Sequence, residues 1–107
     1  MFCSRLTLVE TGRVLRRSER EARINAAQGA DLRTAVAQAA ATWAIVELTP
    51  EVARRAQEAF PREPVRTLDA IHLASAVLLR QSFPDLVVVS RDERVRANAA
   101  QLGLDLA

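Results

Sequence analysis

Cysteine and glycine are scarce in this chain of 107 residues, and their scarcity excludes several kinds of site. Cys3 is the single cysteine, so neither a disulfide framework nor a cysteine-rich zinc site can form. The three glycines, Gly12, Gly29 and Gly103, fit neither a Walker loop nor a dinucleotide-binding fingerprint. Any chemistry must therefore come from other side chains.

Long hydrophobic runs are also missing. No apolar segment is long enough to cross a bilayer, and no signal peptide precedes the first helix. We therefore expect a cytoplasmic protein without a membrane partner. Half of the residues are nevertheless hydrophobic, and a chain of this length can bury a core without disulfides or structural metal. The sequence predicts one domain over residues 1–107.

Positive charge is carried by arginine alone, because all fifteen basic residues are arginine and the net charge is only +2. A basic helix surface can attract phosphates. More often such a surface is simply solvated, or its arginines pair with glutamates one turn away. We favour these two non-binding interpretations over phosphate binding. Most of the excess positive charge lies early, at Arg5, Arg13, Arg16, Arg17, Arg20 and Arg23.

Helical and extended patterns alternate along the chain, and the extended ones are rich in β-branched residues. This order predicts an α/β fold with a parallel sheet and helices on both faces. The predicted strands are Trp43–Leu48, Leu86–Val89 and Leu104–Leu106. The predicted helices are Ser4–Arg17, Ser18–Gln28 ending at Gly29, Ala35–Ala41 capped by Asp31, Thr49–Phe60, Leu68–Leu79 capped by Thr67, and Asp92–Gln101 closed by Gly103.

Three carboxylates occupy comparable places in these elements. Glu10 lies early in the first helix, Asp69 lies in the first turn of an apolar helix, and Asp92 follows the strand Leu86–Val89 closely. Such positions gather on the rim of an α/β domain, outside the carboxyl ends of parallel strands. Crowded carboxylates repel each other unless a cation neutralises them, and their hard oxygens suit Mg²⁺ or Mn²⁺. The pattern predicts a metal site formed by all three.

Each acid also has a structural interpretation. Glu10 could complete a capping box with Thr7 or pair with an arginine of its own helix. Asp69 could complement the helix dipole, although an unpaired carboxylate in an apolar helix is unfavourable and needs a cation or Arg66 beside it. Asp92 could cap the last helix, a role that is compatible with metal binding.

Two residues near these acids are candidates for positioning a substrate. Ser90 could orient a metal-bound water or a substrate group, although a hydroxyl at a strand end is usually a local cap. Arg66 precedes the Asp69 helix directly. His72, one turn after Asp69, could act as a base near neutral pH, but a lone histidine on a buried helix is more often a core residue.

Three segments together resemble the PIN-domain family, the fold of the VapC-type toxin ribonucleases. The stretch SRLTLVE ending at Glu10 is similar to the family's helix with its second acid. The stretch RTLDAIHLA around Asp69 resembles its third-acid motif, and VVSRDER around Asp92 resembles its strand-end motif, in which a Ser or Thr precedes the fourth acid by two residues. The order and spacing match across essentially the whole chain. The resemblance implies a three-layer α/β/α domain with a parallel central sheet.

One family feature has no counterpart here. The family begins with a central strand that ends in the first metal-binding Asp, and no acidic residue precedes Glu10. The resemblance therefore predicts a domain that is incomplete at its N-terminus. With three matched acids instead of four, we expect residues 1–107 to show little or no RNA cleavage with Mg²⁺.

The resemblance implies a Mg²⁺- or Mn²⁺-dependent endoribonuclease with Glu10, Asp69 and Asp92 as catalytic metal ligands. It further implies a toxin–antitoxin pair with an RNA substrate, an antitoxin protein that blocks the acidic cleft, and a homodimer. The alternative is a non-catalytic remnant of such a domain that serves as an oligomerising or antitoxin-binding module, because a missing strand would expose unpaired sheet edges.

Overall fold

The computed structural model describes all residues from Met1 to Ala107. The chain forms two compact units, Met1–Glu47 and Leu48–Ala107. Five helices and four short strands alternate along it, and every strand pairing is parallel. This mixed α/β architecture, which is mostly helical, confirms the predicted fold class. The strands form two two-stranded sheets, one in each unit.

The first unit has the order β1 (Phe2–Ser4), α1 (Arg5–Arg20), α2 (Ala26–Ala40) and β2 (Ala44–Val46). Strand β1 pairs in parallel with β2, so that Cys3 lies opposite Ile45. Cys3 is the buried residue of this pair. The predicted strand Trp43–Leu48 is thus present but shorter, and Trp43 is half-buried just before it.

The separate helices predicted over Ser18–Gln28 and Ala35–Ala41 were wrong, because the single helix α2 covers Ala26–Ala40. Helix α1 does not stop at Arg17 but continues to Arg20. Helix α2 begins after Asn25, whose side chain accepts a hydrogen bond from the Gln28 N–H at 2.8 Å, while the Gln28 side chain accepts one from the Asn25 N–H at 2.9 Å. This capping box overrides the stop signal of Gly29 and the cap signal of Asp31, which both lie inside α2.

Charged pairs connect the elements of the first unit. The Arg5 guanidinium donates two hydrogen bonds to Glu47 Oε1, from Nε at 3.0 Å and from Nη2 at 2.5 Å. This bonding lowers the pKa of the Glu47 carboxyl and raises the pKa of Arg5, although both side chains remain exposed. Arg33 on α2 donates to the carboxylate of Glu19 on α1, and that carboxylate lies against the buried Gly29.

The second unit has the order α3 (Pro50–Gln57), α4 (Thr67–Ser82), β3 (Val87–Val88), α5 (Glu93–Gln101) and β4 (Asp105–Leu106). Strand β3 pairs in parallel with β4, with Val87 opposite Asp105. Helices α4 and α5 supply most of the core. The core residues are Phe60, Ala70, Leu73, Val95, Ala99 and Leu104.

In the second unit the start of α3 follows its capping signal, whereas the end of α3 and the cap of α4 differ from the prediction. Thr49 caps α3 as expected, with its hydroxyl accepting from the Val52 N–H at 3.2 Å. Helix α3 ends at Gln57 rather than Phe60, because Phe60 turns into the core. Thr67 was wrongly predicted as the cap of α4; Arg66 occupies that place without a side-chain cap, and Thr67 is the first helical residue.

None of the five helices combines the length and apolar character that a bilayer crossing requires.

Candidate functional site

The candidate site is an open pocket of about 410 Å³ in the second unit. Two of the three predicted acids, Asp69 and Asp92, line this pocket together, and so does the predicted positioning residue Arg66. Carboxylates and guanidinium groups therefore share one concave surface. The complete lining is Pro64, Val65, Arg66, Asp69, Asp92 and Arg94.

Asp69 is placed by the start of α4. It is the third residue of the helix, half-buried, and the only acidic residue of the first turn. Negative charge in a first turn complements the partial positive charge of the unpaired backbone N–H groups. Arg66 is exposed at the N-cap, and its carbonyl accepts the N–H of Ala70 at 2.8 Å. The backbone thus places Arg66 and Asp69 one turn apart at the N-terminus of α4.

Asp92 is placed by the start of α5, which confirms that it caps this helix. Its Oδ1 accepts the N–H of Val95 at 3.0 Å. The Oγ of Ser90 accepts the N–H of Asp92 at 3.1 Å, so Ser90 also acts as a local cap. Arg96 donates to the carbonyl of Ser90 at 3.0 Å. These bonds define the path of the backbone between the end of β3 and Asp92.

A buried amide that sequence reasoning missed connects α5 to the loop before α4. Asn98 is fully buried, and its Oδ1 accepts the N–H of Arg62 at 2.8 Å. Its Nδ2 donates to the carbonyls of Arg62 at 3.1 Å and Arg94 at 3.0 Å. The signal was available, because Asn98 lies between Val95 and Leu102 at the spacing of the apolar stripe of α5.

Glu63 was also missed, and it shapes the same loop. One carboxylate oxygen accepts the N–H of Phe60 at 2.9 Å, and the other accepts the N–H of Val65 at 2.8 Å. Arg94 donates from α5 to the carbonyl of Pro64 at 2.8 Å. The loop that forms one wall of the pocket is therefore held by both Glu63 and Arg94. No isolated motif marks such a role, since it depends on the folded course of the loop.

A neighbouring pocket of about 540 Å³ shares Asp92 and Arg94 with the first one. It is also lined by Arg62, Glu63 and Glu93, the carboxylate that follows Asp92 in the sequence. Asp92 consequently borders both concave surfaces.

Glu10, the third predicted acid, lies on α1 in the first unit and is half-buried. Helix α1 starts at Arg5, because the Oγ of Ser4 accepts the N–H of Leu6 at 3.2 Å. Thr7 is therefore inside the helix, and the capping-box interpretation of Glu10 is wrong. His72 lies one turn after Asp69 on α4 and is half-buried.

The donor set of the pocket suits a hard cation. The structure contains no group of three or more His, Cys, Asp or Glu side chains that could hold a metal ion. Two carboxylates at one pocket are nevertheless the usual protein contribution to Mg²⁺, which keeps several waters and also binds substrate phosphates. Protein zinc sites usually include histidine or cysteine, and the pocket lining has neither imidazole nor thiol.

The model of one family, described as PIN domain, matches residues 1–101 and so spans parts of both units. No curated protein and no solved structure matches the chain significantly.

Proposed function

Because the family match covers residues 1–101, the chain belongs to the PIN-domain family, whose fold is of the nuclease type, and we propose that it is a metal-dependent endoribonuclease. The observation that carries this proposal is the shared pocket of Asp69 and Asp92. Hydrolysis of RNA phosphodiester bonds is the reaction that this arrangement supports best, since carboxylates and arginines can together hold a cation and a phosphate.

Each oxygen of Asp92 has a separate use in this proposal. Oδ1 accepts the Val95 N–H, whereas Oδ2 accepts no hydrogen bond from the chain and can serve as a ligand. Asp69 supplies the second carboxylate of the pocket, and Glu10 remains the predicted third ligand. A bound Mg²⁺ or Mn²⁺ would activate a water molecule and neutralise charge on the scissile phosphate.

The positioning residues would act on the phosphate. Arg66 places a permanently charged guanidinium in the pocket, and this group forms paired hydrogen bonds with phosphate oxygens. Ser90 accepts a hydrogen bond from the backbone, so its own hydroxyl proton is available for a water or a phosphate oxygen.

The resemblance to the VapC-type toxin ribonucleases supports a more specific assignment. We propose a VapC-type toxin of the cytoplasm that forms a homodimer and is inhibited by an antitoxin protein in the acidic cleft. Structured RNA is the proposed substrate class.

A single-turnover RNA digest tests the reaction. The protein is mixed in excess over end-labelled RNA with Mn²⁺, with or without EDTA, so that slow cleavage is visible. We expect EDTA-sensitive cleavage that Asp69→Asn abolishes. Asp85→Asn is the matched control, because Asp85 is exposed in the loop before β3 and lines neither pocket.

The alternative module makes the opposite prediction for this assay. RNA that stays intact under all conditions, in a protein that forms a stable dimer or binds its antitoxin, would replace the nuclease proposal by the non-catalytic one. Cleavage that Asp69→Asn leaves unchanged would show that the active site is elsewhere.

A further inference from the structure

Four arginines follow one face of α1 at the spacing of successive helical turns. We call them the α1 arginine stripe: Arg13, Arg16, Arg17 and Arg20. Residues three and four apart are neighbours on a helix surface, so each member lies beside at least two others. All four are exposed, and none of them lines the pocket of Asp69 and Asp92.

The charge of the α1 arginine stripe is not neutralised within the chain. The ion pairs of the structure involve Arg5, Arg23, Arg33 and Arg55, and none involves a member of the stripe. The glutamates that could have paired with it are engaged elsewhere, Glu19 with Arg33 and Glu21 with Arg23. The sequence allowed two interpretations of these arginines, pairing with glutamates one turn away or a solvated face. The pairing is absent for these four residues, which are exposed.

The side chains of the stripe border one shared concave surface. Its four arginines, together with Val14, line an open pocket of about 440 Å³. The stripe extends about 10 Å along the helix, given a rise of about 1.5 Å per residue. Nucleic-acid strands carry a phosphate about every 3.4 Å along the axis of a duplex, so several phosphates can contact a surface of this length.

We infer that the α1 arginine stripe binds the phosphate backbone of RNA. Like charges at adjacent turns repel each other and destabilise a free helix, and phosphates placed between them remove this repulsion. Guanidinium groups form paired hydrogen bonds with phosphate oxygens, which suits an all-arginine surface. The identity of the partner rests on the proposed function, which makes RNA the substrate.

Fluorescence anisotropy with a labelled poly(U) RNA in EDTA tests this inference without cleavage. The variant Arg13→Gln/Arg17→Gln removes two stripe charges, and Arg23→Gln/Arg54→Gln removes two exposed charges outside the stripe. We expect the stripe variant to bind about tenfold more weakly, with a salt dependence of log K that is shallower by about 1.4, or about 0.7 per lost phosphate contact. The control should bind like the wild type, and Arg13→Lys/Arg17→Lys should retain most of the affinity.

Equal affinities of the stripe variant and the Arg23/Arg54 control would overturn the inference. The inference would also be overturned if the stripe variant lost binding to a poly-glutamate peptide while its RNA binding stayed unchanged. That result would identify an acidic protein segment as the partner. The two proposals fail separately. If RNA binding depends on the stripe but no RNA is cleaved, only the nuclease function is contradicted. If RNA is cleaved but the stripe substitutions leave the RNA affinity unchanged, only this inference is contradicted.

Discussion

Asp92 accepts the Val95 N–H through Oδ1, which makes it the cap of α5 as well as a candidate ligand. Two substitutions separate these roles. Asp92→Ala removes the cap and should lower the free energy of unfolding by about 1 kcal/mol, whereas Asp92→Asn retains a good capping residue and should be nearly neutral. Urea denaturation measures both. Equal destabilisation by the two variants would mean that the negative charge, rather than the cap, stabilises α5.

Asn98 supports the pocket from inside the second unit. Asn98→Ala would remove the side-chain partner of the Arg62 N–H and carbonyl, and one of the bonds to the Arg94 carbonyl, at a side chain that is itself fully buried. We expect a loss of about 2–3 kcal/mol in the free energy of unfolding, since buried unsatisfied polar groups are unfavourable. Gln101→Ala, on the exposed end of α5, is the control and should change stability by less than about 0.5 kcal/mol. A similar result for both variants would show that the loop is held by other contacts.

Among the secondary structure elements, two glycines should respond to alanine in opposite directions. Gly103 follows α5 with a φ of +78°, so Gly103→Ala should destabilise the protein by about 1–2 kcal/mol. Gly12 lies within α1, and an added Cβ would meet no atom within 4 Å. Gly12→Ala should therefore stabilise the protein by about 0.5–1 kcal/mol. Thermal denaturation of the two variants checks the signs, and a shift in the same direction would refute the backbone argument.

Element boundaries were predictable where a single local signal dominates. Thr49 followed by Pro50 marks the start of α3, and Asp92 marks the start of α5, as expected. Gly29 was read as the end of a helix because glycine is a common terminator. Its position in α2 is explained by the capping box upstream and by the Glu19 carboxylate packed against it, a tertiary contact that local sequence does not reveal.

In the molecule as a whole, the order of the three acidic motifs was enough to predict the family and the α/β fold class. It was not enough to define the pocket. Asn98 and Glu63 fix the loop before α4 through backbone groups, and these contacts depend on how α5 packs rather than on any motif. The shared pocket of Asp69 and Asp92 was expected from their places at helix starts.

Binding of Mn²⁺ measured by isothermal titration calorimetry tests the central claim most directly. The wild type and Asp85→Asn should bind with the same affinity. Asp69→Asn and Asp92→Asn should each bind at least about tenfold more weakly, because a carboxylate charge close to the ion contributes several kcal/mol at the effective dielectric constant of a protein surface. Unchanged Mn²⁺ affinity in both Asp69→Asn and Asp92→Asn would contradict the assignment of this pocket as the metal site.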